Sequence, residues 1–428
     1  NGRGGCGIAP NATLAGVRLL VGSSTDVVIA DDAFEQTLDE FASDEQTVLS
    51  NSWGPPDDGR VDGPGVREWY ARVDAALTRF EVHGREGKGG IAVFAAGNGG
   101  AYDNVNDDGF ASHPGTIAVG SVGDDGRRTY FSEPGACIDL VAPSNGGWRA
   151  ITTTDLMGDS GYSNNNHTDT FSGTSASAPM VAGAIAILLS VRPTLTLRDV
   201  RHILARSAHR THPQDPAWIT NDAGLAFSPW YGFGRLDLQG AVDLAASWQS
   251  SNETGDAASG CSAEWYGQLP LTSEGVHVPF FDVPEFGEVE DAALFVDVVH
   301  PWRGDVLIRL VSPANTSSVL TWQVPNTVSL RDGAFVPHTF HSRAFLGENT
   351  TRHAPVGWVL VVRDLTERGH LRRARVCVRG LHNASNAPHP MVPTPAADDE
   401  PRTLRLALWI GIGIFGLITT VVFAALAR

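Results

Sequence analysis

The sequence contains few basic residues for its number of acidic ones. Its 428 residues include 31 Lys and Arg against 48 Asp and Glu, a formal net charge of −17. This balance argues against a nucleic-acid partner, because phosphate backbones are bound by clusters of Lys and Arg. It fits a basic partner, although simple solubility also accounts for the total charge.

Cysteines and long uncharged runs are also scarce. Run 406–427 carries no charge and is long enough for a bilayer, which takes about 20 residues. It predicts a transmembrane helix at 404–428, preceded by a stalk rich in Pro, Ala and Asp at 382–403. Four cysteines allow three pairings, among which the sequence alone does not choose; they are Cys6, Cys137, Cys261 and Cys377.

The chain lacks an initial methionine and a signal peptide. It begins at Asn1 within a loop-like stretch, so we expect that the N-terminus was cut or that the sequence is partial. Six Asn-x-Ser/Thr sites beside one terminal span suggest that the body faces the secretory lumen or the cell exterior. These sites are Asn11, Asn166, Asn252, Asn315, Asn349 and Asn383.

Short apolar runs and helical patterns alternate over the first half of the chain. They predict strands at 14–21, 47–51, 91–96 and 116–122, with helices at 32–41 and 66–82. Such alternation predicts a mostly parallel sheet covered on both faces. Functional loops then lie beyond the carboxyl ends of the strands. Two candidates are Ser52-Trp53-Gly54 and Gly97-Asn98-Gly99.

A small-residue turn precedes an apolar stretch that predicts a buried helix at 176–191. Ser175 falls where this helix should begin, beside unpaired backbone N–H groups and the positive end of the helix dipole. A serine there can be an exposed nucleophile, or it can merely cap the helix. Two further helices, at 197–207 and 238–247, are predicted to lie on the surface.

The pattern changes after a polar, small-residue linker at 249–260. From 275 to 380 the sequence predicts short strands and turns without a helix-length apolar pattern, which indicates a second, all-β domain.

Several motifs occur in one order along the chain. Gly-Thr-Ser-Ala-Ser-Ala-Pro around Ser175 and Ala-Ala-Gly-Asn-Gly-Gly around Asn98 resemble the subtilisin-like serine proteases. Ser-Trp-Gly-Pro-Pro-Asp-Asp-Gly-Arg-Val-Asp-Gly-Pro at 52–64 looks like the substrate groove of the kexin/furin proprotein convertases. Tyr-Gly-Phe-Gly-Arg-Leu-Asp at 231–237 resembles the end of their catalytic domain, and Arg-Gly-Asp at 303–305 resembles a structural signature of their β-sandwich P domain.

The resemblance implies the fold and its division. It implies an α/β subtilisin-like catalytic domain with a mostly parallel sheet at 1–249, and an all-β sandwich P domain at 250–381. The stalk and one C-terminal transmembrane helix follow. Cys261 and Cys377 bracket the β domain and would join its ends, whereas Cys6 and Cys137 lack their usual partners and are free or paired with each other.

The resemblance also implies roles for site residues. Ser175 would be the nucleophile, and Asn98 would donate its side-chain amide to the oxyanion, a contact worth roughly 3–4 kcal/mol in the transition state. Asp108 would receive the arginine before the scissile bond, because a carboxylate accepts the guanidinium in two parallel hydrogen bonds. The backbone of Ser52, Trp53 and Gly54 would pair with the substrate as an added strand. Basic side chains further upstream would meet Glu35 and Asp62.

Calcium is the implied cofactor. Asp57, Asp103 and Glu133 match three carboxylates that hold an ion next to the arginine pocket in this family. Hard oxygen ligands suit calcium, which would also offset the repulsion among crowded acids. Asp57 would thus serve both the substrate pocket and the metal.

The chain departs from the family pattern in lacking most of the catalytic triad. A subtilisin-type triad also requires an aspartate and a histidine as general base, and no His-Gly-Thr motif occurs. His83, His113 and His167 precede Ser175, and none is expected to substitute. The sequence therefore predicts that this polypeptide alone does not hydrolyse peptides, although the full-length protein does.

The function implied is a calcium-dependent serine endopeptidase that cleaves after paired or multiple basic residues in secretory-pathway precursors. Its partners would be those precursors, its own propeptide and, through the C-terminal helix, a membrane of the secretory pathway or cell surface. The alternatives are a membrane-anchored pseudoprotease that binds without catalysis, and an extracellular subtilisin of broad specificity.

Overall fold

The computed structural model describes residues 6–23, 26–29, 33–42, 47–57, 64–158, 161–250, 257–322, 337–382 and 419–424. Its helices are α1 (Ala33–Phe41), α2 (Pro64–His83), α3 (Thr174–Val191), α4 (Leu197–Ser207) and α5 (Leu238–Ser247). The strands of the first half are β1 (Thr13–Arg18), β2 (Leu20–Ser23), β3 (Asp26–Ile29), β4 (Thr47–Asn51), β5 (Ile91–Ala95), β6 (Thr116–Val122), β7 (Ile138–Pro143), β8 (Ile151–Thr154), β9 (His167–Phe171), β10 (Ile219–Thr220) and β11 (Ala226–Phe227).

The remaining strands lie after the linker. They are β12 (Ala257–Cys261), β13 (Trp265–Pro270), β14 (Val276–Phe280), β15 (Glu288–Val299), β16 (Val306–Val311), β17 (Ser317–Val319), β18 (His338–Ser342), β19 (Trp358–Asp364), β20 (His370–Leu381) and β21 (Thr419–Ala424).

Five strands of the first half, together with β21 from the end of the chain, form a six-stranded sheet in the order β1-β21-β4-β5-β6-β7. Strands β4 to β7 are parallel neighbours, and every residue of β4 and β6 is buried. Strands enclosed on both faces read as continuous apolar runs, which is why β4, β5 and β6 were recognisable in the sequence, whereas β7 was not predicted. One apolar cluster joins the sheet to α3, α4 and α5, and another joins it to α1 and α2.

Helix α3 is the buried centre of this layer, as its apolar composition predicts. It begins at Thr174 after Gly173, and no side chain caps it, so Ser175 is not the helix cap. Among the described residues, α3 is the one helix that is long and apolar enough to span a membrane. However, 78% of it is buried inside the protein. It is therefore a core helix.

The expected transmembrane helix at 404–428 lies mostly outside the described residues. Thr419–Ala424, the described part, is strand β21, which pairs antiparallel with both β1 and β4. A helix is thus the wrong prediction for these six residues. Thr, Val and Phe are residue types that are enriched in strands.

Helix α4 corrects a second prediction. It was expected on the surface, yet nearly all of its residues are buried, Arg201, His202 and Arg206 among them. Its polar side is covered by the β domain, where Arg198 pairs with Glu288 and Glu290 at 2.8 and 2.5 Å.

The second half is a sandwich of two antiparallel sheets. One has the order β12-β20-β15-β18, with β13 also paired to β20, and the other has the order β14-β19-β16-β17. Their inner faces share one apolar core. Cys261 and Cys377 form a disulfide between β12 and β20, as expected, while Cys6 is exposed, Cys137 is buried, and both are free.

Candidate active site

Ser175 lies in the first turn of α3, beyond the carboxyl end of the sheet. The strand-to-helix turn before it is fixed by Ser144, whose hydroxyl donates to the Gly173 carbonyl at 2.7 Å. Further along the helix, the Ser177 hydroxyl donates to the Ala142 carbonyl at 2.9 Å. These bonds tie the start of the helix to the end of β7, so the Ser175 side chain is presented from a rigid element.

Asn98 lies next to this turn, in the loop that follows β5. Its Oδ1 accepts hydrogen bonds from the Thr174 backbone N–H at 2.9 Å and from the Thr174 hydroxyl at 3.1 Å. That hydroxyl also lies 3.1 Å from the Gly97 carbonyl. Because the oxygen of the amide is occupied, its Nδ2 donors are available for a ligand near Ser175. Thr174 was missed by sequence reasoning, since only the fold brings it to Asn98.

One cavity of about 240 Å³ collects most of the predicted site residues. Its lining includes Ser52, Trp53, Gly54, Asp57, Asn98, Asp108 and Ser175. These residues come from four separate stretches of the chain, and the loops after β4 and β5 contribute as the parallel sheet predicts. Ser52 also contacts the backbone of Ser175, because its hydroxyl donates to the Ser175 carbonyl at 3.0 Å.

Aromatic rings form the wall behind this cavity. Trp53 packs edge-on against Phe34 and Phe94, with ring centroids 5.0 and 5.5 Å away, and it contacts Phe110 at 5.2 Å. Its Nε1 donates to the Asn51 side chain at 3.2 Å, so the buried indole N–H is satisfied. The backbone of 52–54 is thereby held in place along the cavity.

Three buried acids converge beside the cavity. Oxygens of Asp103, Asp108 and Glu133 lie within 4.8 Å of one another. Glu133 Oε1 accepts from the Gly99 N–H at 2.8 Å, and its buried Oε2 has no hydrogen-bond partner. Burial, followed by the charges of Asp108 and Asp103, raises the pKa of Glu133 well above its usual value.

Such a cluster fits a divalent cation. An orphaned buried carboxylate oxygen facing two further acids is costly without a positive charge, and oxygen ligands are those that calcium takes. The composition differs from the expected set, since Asp108 rather than Asp57 completes the tight cluster. Asp57 is exposed at the cavity, and its charge also acts on the pKa of Glu133.

Of the two acids assigned to upstream substrate side chains, Glu35 is not among the residues that line the cavity. Glu35 lies on α1, and one of its carboxylate oxygens is 3.6 Å from Nε of Arg72 on α2. Asp62 lies outside the described residues.

No histidine lines the cavity in the part of the chain that the structure describes. His113 is buried, where its Nδ1 accepts from the Gly115 N–H at 2.9 Å and its Nε2 lies 3.2 Å from the Thr78 hydroxyl. Burial lowers the pKa of His113 to about 3, so it is neutral. His83 ends α2, and His167 is exposed in β9.

A second acidic cluster at the domain boundary is an ion-pair network. Glu288 and Glu290 converge on His202, whose Nε2 lies 2.9 Å from Glu290. Arg198 already donates to both carboxylates, so its guanidinium supplies the positive charge that a metal would provide. Sequence reasoning missed this network because its members lie about 90 residues apart.

Two protein families match the chain in succession. Residues 1–234 match the Subtilase family, and residues 289–373 match the proprotein convertase P-domain. The chain is 36% identical to PC3-like endoprotease variant B of Hydra vulgaris, over 74% of this chain and 44% of that protein.

Vertebrate relatives and a solved structure are similar too. Identity is 34% to proprotein convertase subtilisin/kexin type 7 of Homo sapiens (84% of this chain, 44% of the relative) and 40% to type 4 of Mus musculus (77% and 49%). The chain thus spans about half the length of these relatives. The serine protease of Aeromonas sobria shares the fold, with a TM-score of 0.66 and 23% identity over 77% of this chain and 71% of that one.

Proposed function

Because the chain belongs to the subtilase family, and within it to the kexin/furin-type proprotein convertases, we propose that the protein is a calcium-dependent serine endopeptidase. It cleaves after paired or multiple basic residues, with arginine before the scissile bond, in precursors that travel the secretory pathway. One observation carries the proposal: Ser175, Asn98 and the buried carboxylate of Asp108 line the same cavity.

Ser175 attacks the scissile carbonyl, and the Asn98 amide stabilises the oxyanion that forms. A preorganised donor of this kind accelerates the reaction because it requires no reorientation as charge develops. The hydroxyl must lose its proton to a general base. The described residues offer no histidine at the cavity, so the proposal assigns the base and its orienting aspartate to sequence upstream of Asn1.

Asp108 binds the guanidinium of the substrate arginine. Trp53 and Phe110 line the same cavity as this carboxylate, and an aromatic lining that limits water would strengthen the ion pair. The backbone at Ser52-Trp53-Gly54 pairs with the substrate chain as an added strand. Asp62 and Glu35 are proposed for basic side chains further upstream, although Glu35 must first release Arg72.

The acidic cluster is the proposed calcium site. Asp103 and Glu133, with Asp57 or Asp108 as a further carboxylate, would hold the ion. When bound, it supplies positive charge that fixes the wall of the pocket. Asp108 then needs to keep a free oxygen for substrate, which favours Asp57 as the third ligand.

Location and partners follow from the same family. Asn11, Asn166 and Asn315 are exposed, as glycosylation in the secretory lumen requires. Attachment to a membrane through the uncharged run 406–427 is proposed as well, and it requires Thr419–Ala424 to leave the sheet. The protein's own propeptide is a further expected partner.

Peptide turnover tests the proposal directly. The natural full-length protein should hydrolyse Arg-Arg fluorogenic peptides far faster than matched Phe peptides, and Ser175→Ala should abolish both activities. A chelator should remove activity, and added calcium should restore it. Equal turnover of Arg and Phe peptides would instead favour a subtilisin of broad specificity.

A binding protein without catalysis is the second candidate. It is favoured by the absence of a histidine at the cavity among the described residues. Such a protein would bind an Arg-Arg peptide in the presence of calcium and release it uncleaved, even at full length.

A further inference from the structure

The acidic segment, residues 101–108, supplies two acids of the site but has little regular structure of its own. It includes the end of one three-residue 3₁₀ turn, Gly100–Tyr102, and the whole of a second, Val105–Asp107. Asn104 caps the second turn by accepting from the Asn106 N–H at 3.0 Å. Turns this short rely on neighbours for a fixed position, because they contain few internal hydrogen bonds.

The β domain supplies those neighbours through polar contacts along the whole acidic segment. The Trp322 indole lies 3.5 Å from the Ala101 carbonyl, and Asn104 Nδ2 donates to the Leu320 carbonyl at 2.9 Å. Leu320 and Trp322 come directly after β17. The two domains are therefore joined at the pocket rather than only at their outer faces.

Strand β18 contacts Asn106 of the acidic segment at both its side chain and its backbone carbonyl. The backbone N–H of His341 donates to Asn106 Oδ1 at 2.7 Å. Nε2 of His338 lies 2.9 Å from the Asn106 carbonyl oxygen.

Arg303, in the turn before β16, makes a charged contact with the acidic segment. Its guanidinium pairs with Asp107, whose side chain is only 2% exposed. His338 Nε2 is also near Asp107, at 3.6 Å. A buried carboxylate next to other acids requires such a partner, because its desolvation is otherwise uncompensated.

Asp107 and Asp108 are consecutive, yet they face different surroundings. Asp107 is held by the β domain, whereas Asp108 lines the cavity with Ser175. Ligand recognition by a carboxylate tolerates displacements of only about half an ångström. Fixing one side chain of the pair therefore fixes the other.

We propose that Arg303 is a positioning residue for the arginine pocket: by clamping Asp107 to the β domain, it sets where the neighbouring Asp108 meets its ligand. The inference rests on the proposed function of Asp108. It gives the β domain a part in substrate selectivity in addition to stability.

Binding of p-aminobenzamidine, a fluorescent arginine mimic, tests this in the natural full-length protein. Arg303→Met should raise its Kd about tenfold. It should raise KM for Arg-Arg peptides similarly, with kcat at saturation nearly unchanged. Arg303→Met/Asp107→Asn should recover most of the affinity, because no buried carboxylate is then left unpaired.

Matched controls separate positioning from general damage. Arg375→Met, on the exposed side of β20, should leave the Kd unchanged. If Arg303→Met does not fold, Asn104→Asp replaces it: this change keeps the cap for Asn106 and removes the donor to Leu320, so the Kd should again rise.

These measurements distinguish failure of the proposed arginine pocket from failure of the positioning role of Arg303. A wild-type protein that does not bind the mimic, or binds it equally well after Asp108→Asn, contradicts the proposed arginine pocket. Normal binding by wild type, with an unchanged Kd in folded Arg303→Met or Asn104→Asp, overturns the positioning role. Equal losses in kcat and 1/KM, without recovery in the double variant, overturn it as well.

Discussion

The proposed selectivity for arginine before the scissile bond depends on one carboxylate, that of Asp108. Asp108→Asn keeps the size of the side chain but removes the charge that pairs with a guanidinium. We expect kcat/KM on arginine peptides to fall by roughly 30- to 150-fold, equivalent to about 2–3 kcal/mol for a charged hydrogen-bonded pair. Phe peptides, if cleaved at all, should be affected much less.

Asp169→Asn is the matched control for Asp108, because Asp169 is an exposed acid on β9. This variant should leave kcat/KM unchanged for both the Arg and the Phe peptides. An equal loss on Arg and Phe peptides in Asp108→Asn would contradict the pocket assignment.

Gly97 allows the loop of Asn98 to pass directly over Glu133. Its φ is 95°, and a Cβ added there would lie 2.2 Å from Glu133 Oε1. Gly97→Ala should displace this carboxylate, and we expect the apparent Kd for Tb³⁺, a luminescent calcium analogue, to rise at least about tenfold.

Gly158→Ala controls for backbone strain alone. Gly158 has a φ of 81°, but a Cβ there would meet nothing within 4 Å. If both variants weaken Tb³⁺ binding to the same extent, crowding of Glu133 is not the cause.

Whether the role of a single residue could be predicted from the sequence depended on whether its contacts lie nearby in the chain. The turn and apolar run around Ser175 located the helix start, and motif resemblance supplied Asn98 and Asp108. The contacts of Thr174 with Asn98, and of Arg303 with Asp107, join distant stretches of the chain. No local pattern reveals such pairs.

At the scale of elements, α4 shows why a polar helix face is ambiguous. Its Arg and His side chains indicate a solvent-facing surface when they are read alone. In the fold they meet opposite charges, as Arg201 does with Asp139 at 3.0 Å. Strands β4, β5 and β6 were predictable because burial on both faces leaves an unbroken apolar signal, although β7, which is also buried, was not predicted.

The buried pairs on α4 predict an acid-sensitive domain boundary. Burial opposes ionisation of Glu290, but the charges of His202 and Arg198 outweigh it and lower its pKa. A carboxyl with a depressed folded pKa stabilises the protein above its unfolded pKa of about 4.3, and this stabilisation is lost as pH falls below that value. Glu290→Gln should cost about 3 kcal/mol at pH 7.

Urea denaturation at several pH values measures this effect. The stability difference between wild type and Glu290→Gln should shrink from pH 6 to pH 3, because protonation removes the same charge. Glu285→Gln, at an exposed acid before β15, should behave as wild type throughout. A difference that is constant with pH would show that charge at Glu290 does not stabilise the boundary.

At the scale of the whole molecule, one disulfide restrains the β domain. Cys261 and Cys377 are 116 residues apart and join β12 to β20. A crosslink over a long loop stabilises mainly by restricting the unfolded chain. Replacing both cysteines with alanine should lower the free energy of unfolding by about 2–5 kcal/mol.

The resulting loss is measured by chemical denaturation of the double variant. Cys137→Ala is a partial control, since this free cysteine is buried in the other domain. Because Ala136 packs into the β-domain core and the backbone N–H of Arg343 donates to the Ala136 carbonyl at 2.8 Å, unfolding of the β domain should also expose the neighbourhood of Cys137 to thiol reagents.

Strand β21 has a consequence for the architecture of the sheet. It runs antiparallel to β1 and to β4, so those two strands are parallel to each other and separated by one strand width on either side, about 4.8 Å each. Thr419–Ala424 cannot seal this gap and lie in a bilayer at the same time. Insertion of 406–427 into a membrane would therefore remove the strand that pairs with the facing edges of β1 and β4, and unpaired strand edges favour pairing with another extended segment.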